Sequence, residues 1–135
     1  MIDYRNDVRP ELERARELYR ASTLAERRPV DDDARFATML AQANLIVTAW
    51  EGDVLVGISR CISDLVWTTY LADLAVRASH QRRGIGRELV RRTQAAAPQA
   101  KLLLLAAPAA EGYYPHIGFQ HMPQAWMLRE GDVPG

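Results

Sequence analysis

A single cysteine, Cys61, stands in a chain of 135 residues, which excludes an internal disulfide. Neither sign of charge is in excess: 17 Lys and Arg offset 17 Asp and Glu. No global field is available to hold nucleic acid or an anionic membrane, and neither is an expected partner. No apolar run approaches the roughly 20 residues that a membrane-spanning helix needs. Residues 1–5 lack the apolar core of a signal peptide, so a cytoplasmic location is expected. His80, His116 and His121 lie at spacings that fit no metal-ligand pattern, and no metal is expected. Repeats and low-complexity segments are absent too. What is present is an ordinary globular balance, 48% hydrophobic and 25% charged. One domain is expected over residues 1–130, with 131–135 a frayed tail.

Hydrophobic periodicity alternates between strand and helix types. Residues 2–5 read as a first strand. Pro10 then suits the start of a helix that carries Leu12, Ala15, Leu18 and Tyr19 on one side. Arg27, Arg28 and Pro29 close that region. Asp31, Asp32 and Asp33 read as the start of a second helix bearing Phe36, Met39, Leu40 and Ala43, since carboxylates both cap a helix and complement its dipole there. Residues 45–50 and 54–61 read as strands joined by the tight turn Glu51-Gly52-Asp53. A further strand is expected over 65–76, a helix after Gln81, a buried apolar strand over 101–106, a short helix over 108–117 and one or two closing strands within 119–128.

The most informative stretch is Gln81-Arg82-Arg83-Gly84-Ile85-Gly86-Arg87, a glycine-rich turn between an apolar strand and an amphipathic helix. Such a turn points successive backbone N–H groups into one small space, and the helix dipole adds partial positive charge, so a phosphate fits. A dinucleotide fingerprint needs a third glycine where Leu89 stands, and a ribose-binding carboxylate near position 104, where none lies. A nucleotide-hydrolysing phosphate loop needs Gly-Lys followed by Ser or Thr, which is absent. A helix start with no ligand is the alternative left by the short motif alone.

Three segments together resemble the GNAT superfamily of acyl-CoA-dependent N-acyltransferases. Gln81, Gly84 and Gly86 match its pyrophosphate-loop pattern Gln/Arg-x-x-Gly-x-Gly/Ala. Asp73-Leu74-Ala75-Val76 precedes the loop as the family's strand does, and Ala110-x-x-Tyr113-Tyr114-x-x-x-Gly118-Phe119 resembles its Ala-x-x-Phe-Tyr-x-x-x-Gly-Phe. The resemblance implies an α/β (mixed α+β) fold with the order β1-α1-α2-β2-β3-β4-α3-β5-α4-β6-β7 over the elements just given, its central sheet splayed between β4 and β5. It also implies that acetyl-CoA is the cosubstrate. The main chain of Leu74, Ala75 and Val76 would meet its pantetheine arm, and Gln81, Arg82, Arg83, Gly84, Ile85, Gly86 and Arg87 its pyrophosphate.

By the same resemblance the reaction is N-acetylation of a primary amine by direct attack in a ternary complex. Tyr114 would return a proton to the leaving thiolate, and Tyr113 stands where the family has Phe. Asp73, a carboxylate in an otherwise apolar strand, must be solvated, paired or working. Read as working, it attracts a small cationic acceptor and is the catalytic candidate for deprotonating the amine, beside a water chain or simple equilibrium; read as paired, it meets an arginine. Tyr70 stands where some protein-acetylating members carry a glutamate base. The chain also departs from the family at Ala107, where an asparagine is common, and at Pro115-His116. A protein lysine or N-terminal acceptor, and a CoA-binding regulatory module without turnover, are the alternative readings. A homodimer is common in the family, and the resemblance alone raises it as an assembly here.

Overall fold

A computed structural model describes residues 1–135. Two compact units divide it, Met1–Leu105 and Ala106–Gly135.

In the first unit, β1 (Ile2–Arg5), β2 (Leu45–Glu51), β3 (Val54–Ser63), β4 (Thr68–Val76) and β5 (Lys101–Leu103) form one sheet in the order of the chain. The first four strands are antiparallel neighbours, and β5 joins β4 in parallel. The β2–β3 turn is the tight one expected, with Gly52 in the left-handed region at φ +62°. Helices α1 (Leu12–Ala21) and α2 (Asp33–Gln42) cover one face of the sheet, and α3 (Ile85–Ala96) covers the other.

The amphipathic patterns explain the layering. From α1, Ala15, Leu18 and Tyr19 reach a core shared with Phe36 and Leu40 of α2 and with Ile46, Ile58 and Ala75 of the sheet. Tyr19 meets Phe36 edge-to-face with ring centroids 5.0 Å apart. Asp32 caps α2, its side chain accepting the Arg35 N–H at 3.1 Å. On the opposite face Ile85 and Leu89 of α3 pack on Val47, Ala49 and Val56. Cys61 is fully buried there beside Ser59, and burial pushes its thiol up to about 11.

Gly57 of β3 lets α3 sit this close. A Cβ at that position would meet Leu89 Cδ1 at 3.0 Å, with Ala75 O and Ile85 Cγ2 each at 3.3 Å. A Gly57→Ala variant is therefore expected to lower unfolding stability by about 1–3 kcal/mol, the usual penalty for overpacking. Chemical denaturation with an unchanged m-value checks it.

Three expectations from the sequence need correction. The strand expected from residue 65 starts at Thr68, because the Asp64 carboxylate accepts the N–H groups of Val66, Trp67 and Thr68 and folds that stretch into a turn. Leu65 sits there at φ +71°. The buried strand expected over 101–106 is only three residues long and lies exposed at the sheet edge. The closing strands β6 and β7 expected within 119–128 do not form: these residues carry no strand pairing, Pro123 interrupts them, and Trp126 is 96% exposed. The sheet thus has five strands rather than seven.

In the second unit the helix expected over 108–117 divides into a single 3-10 turn at Pro108–Ala110 and α4 (Tyr113–His116). Tyr114 stacks edge-to-face between Tyr113 and Phe119, at centroid distances of 5.3 and 5.4 Å.

Candidate functional site

The sheet is forked. Only Thr68, Thr69 and Tyr70 of β4 face partners in β5, namely Lys101, Leu102 and Leu103. From Leu71 to Val76 the strand is paired with β3 alone, and its other edge has no strand beside it. The divergence coincides with a bulge. Cys61 of β3 pairs with Leu71 and Arg60 with Asp73, which leaves Ala72 as an extra residue on β4. A bulge bends its strand and steepens the local twist.

Beyond the free edge, the chain runs through a short 3-10 turn (Ala78–His80) into the glycine loop and α3. Arg82 is left-handed at φ +62° and Gly84 at φ +81°, with Gly84 serving as the N-cap of α3. The first backbone bond of the helix runs from Glu88 N–H to Gly84 O. The six N–H groups from Arg82 to Arg87 donate to no group in the chain. Six consecutive unbonded amides stand at this helix N-terminus, with Arg82, Arg83 and Arg87 exposed beside them, and free amides at such a position are the kind of donor an anion takes.

The loop is held from several sides. Gln81 Nε2 donates to Val76 O at 3.0 Å, tying the turn to the end of β4. His80 Nε2 lies 2.9 Å from Glu51 Oε1, and Arg83 reaches the same carboxylate at 3.6 Å. The hydrogen bond from His80 and the charge of Arg83 hold Glu51 below the usual carboxylate range. Arg77 grips Glu17 of α1 through both terminal nitrogens at 2.6 Å. Arg77 and Glu51 were not singled out from the sequence, since nothing local marks either as a loop anchor.

Asp73 is placed differently from a carboxylate open to an acceptor. Its side chain is fully buried. It accepts Tyr19 OH at 2.6 Å, Arg60 Nε at 2.6 Å and Arg28 Nε. Burial alone would raise its pKa, but the hydrogen bond and charge of Arg60, the Tyr19 hydroxyl and the charge of Arg28 outweigh it and hold the group below its ordinary 3.8. A depressed folded-state pKa stabilises the fold above the ordinary value, and that contribution is lost as pH falls below about 3.8. The midpoint of urea unfolding should therefore drop as pH falls below about 3.8, and Asp73→Asn should flatten that drop while lowering the midpoint at pH 7. In the second unit, burial and the neighbouring Tyr113 raise the pKa of Tyr114 above its ordinary 10.

A family model described as the acetyltransferase (GNAT) family matches residues 12–119, most of the chain. The chain belongs to the GNAT acetyltransferase family. It is an acyl-CoA-dependent N-acetyltransferase, and the forked mixed sheet is the GNAT fold. Among solved structures it is similar to a GNAT family protein from Streptococcus pneumoniae, with 25% identity, a TM-score of 0.71, and 96% of this chain and 100% of that one covered. A GNAT-family protein from Xanthomonas campestris has 22% identity and a TM-score of 0.75, with coverage of 98% and 94%. The aminoglycoside N-acetyltransferase AAC(6')-Iy, solved with CoA, has 18% identity and a TM-score of 0.74, with coverage of 97% and 95%. No curated protein matches. No helix is long and apolar enough to cross a membrane.

Proposed function

We propose that this GNAT enzyme moves an acetyl group from acetyl-CoA to the primary amine of a small molecule by direct attack in a ternary complex. The observation that carries the reading is the row of six unbonded amides at Arg82–Arg87, beginning six residues after an unpaired strand edge. The diphosphate of CoA meets the amides, and the amide-bearing pantetheine arm adds to the main chain of Leu74, Ala75 and Val76 as a pseudo-strand. A backbone N–H of the same edge polarises the thioester carbonyl, in the manner of an oxyanion hole. Gln81 acts through the loop it holds against Val76. Tyr114 supplies the proton for the departing thiolate.

An acceptor of small-molecule type is supported by the fold shared with an aminoglycoside N-acetyltransferase. Attraction of a cationic acceptor by Asp73 loses its footing, because three donors already occupy that carboxylate. Amine deprotonation then falls to water or to simple equilibrium near neutral pH. Calorimetry with CoA, followed by thiol release from acetyl-CoA over a panel of small amines and a lysine peptide, tests the reading. Uptake of CoA and release with a small amine support it. No uptake overturns it, and release with the peptide alone moves the acceptor to protein.

A further inference from the structure

A buried carboxylate between two arginines needs a reason. Exchanging such a cluster for apolar side chains is often neutral or stabilising, so fold stability alone does not account for it. Its position is informative: Asp73 directly follows Ala72, the extra residue of the β4 bulge, and the last pairing with β5 is at Tyr70. The guanidinium of Arg28 does two things there. Its Nε donates to the Asp73 carboxylate and its Nη2 donates to Ala72 O at 2.9 Å. Arg60 joins the same carboxylate to Met39 O of α2 at 3.2 Å, and Tyr19 joins it to α1. Both helices over this face of the sheet, and the segment between them, therefore converge on the two residues where the fork opens.

We propose that Arg28 is a positioning residue for the acetyl-transfer reaction: by bridging the Ala72 carbonyl and the Asp73 carboxylate it fixes the β4 bulge, and with it the angle at which β4 leaves β5 to receive CoA. A planar guanidinium can make both bonds at once, whereas an ammonium is a point charge without that fork. Arg28 need not touch the cosubstrate. A small change in bulge geometry is carried along the strand to the carbonyls and amides that do, where a displacement of about 1 Å can cost up to roughly 10²-fold. The inference rests on the reading that the unpaired β4 edge holds CoA.

Three variants separate this role from plain stabilisation. Arg28→Ala should raise the Kd for CoA roughly tenfold, a part of that range. Arg28→Lys should keep the wild-type denaturation midpoint and still weaken CoA several-fold. Arg16→Ala is the control, for Arg16 is more deeply buried than Arg28 and is bonded to Val30 O, Glu13 and Asp33 but stands away from the bulge. It should lower the midpoint and leave CoA affinity unchanged. Hydrogen exchange on the ligand-free protein supplies an independent readout, with the amides of residues 71–76 opening faster in Arg28→Lys and those of β2 unaltered. Wild-type CoA affinity and unchanged exchange in Arg28→Lys would overturn the proposal even if Arg28→Ala fails to fold. Failure of the wild type to take up CoA at all would instead remove the functional reading, and this inference with it.

Discussion

A Tyr114→Phe variant is expected to take up CoA as the wild type does and to turn over roughly 10²-fold more slowly, the low end of what loss of a general acid costs. The substitution removes one oxygen and leaves the ring, so the edge-to-face contacts with Tyr113 and Phe119 persist. The size of the effect follows from the pKa match. A leaving thiolate titrates near 8.5 and an ordinary phenol near 10, so transfer from tyrosine is already somewhat uphill. Burial raises Tyr114 further, which keeps it protonated at every working pH and also makes it a weaker acid. A larger drop would imply a second role for the hydroxyl, such as orienting the thioester. Thiol release at saturating acetyl-CoA, beside calorimetry with CoA, measures both quantities. Wild-type turnover in the variant would pass the proton to water.

Much of the fold was legible because its signals are local. The capping Asp32, the Gly52 turn, the periodic face of α1 and the glycine loop before α3 each act within a few residues of the element they define. Where the reading failed, a distant or competing group had taken over. Val66 and Trp67 favour a strand by type, but the Asp64 carboxylate gathers three amides and wins. The run Lys101-Leu102-Leu103-Leu104-Leu105 signals burial without stating how many neighbours will cover it, and only three of its residues pair. Asp73 could be read as costly when unpaired, yet its partners Tyr19 and Arg28 lie 54 and 45 residues away, beyond any spacing rule. Gly57 gives no turn signal at all, since the side chains that require it come from α3.

The glycine loop carries the other large effect. Gly84→Val should weaken CoA binding by roughly tenfold or more while moving the denaturation midpoint little. A Cβ at Gly84 meets nothing within 4 Å, so the protein itself offers no clash. The cost lies in the backbone: φ is +81°, and a left-handed conformation costs an L-residue about 1–2 kcal/mol, more when it is β-branched. An exposed loop relieves that strain by rotating out of it, which turns the Gly84 and Ile85 amides away from their common focus. Because about 1.4 kcal/mol is a factor of ten, the ligand loses what the loop has regained. Gly57→Ala is the complementary case, with a crowded Cβ and a loss of stability, so the two glycines separate folding from binding on one chain. Calorimetry and urea titration of both variants read the contrast. Unaltered CoA affinity in a folded Gly84→Val protein would mean that the amides of Arg82–Arg87 are not what holds the diphosphate.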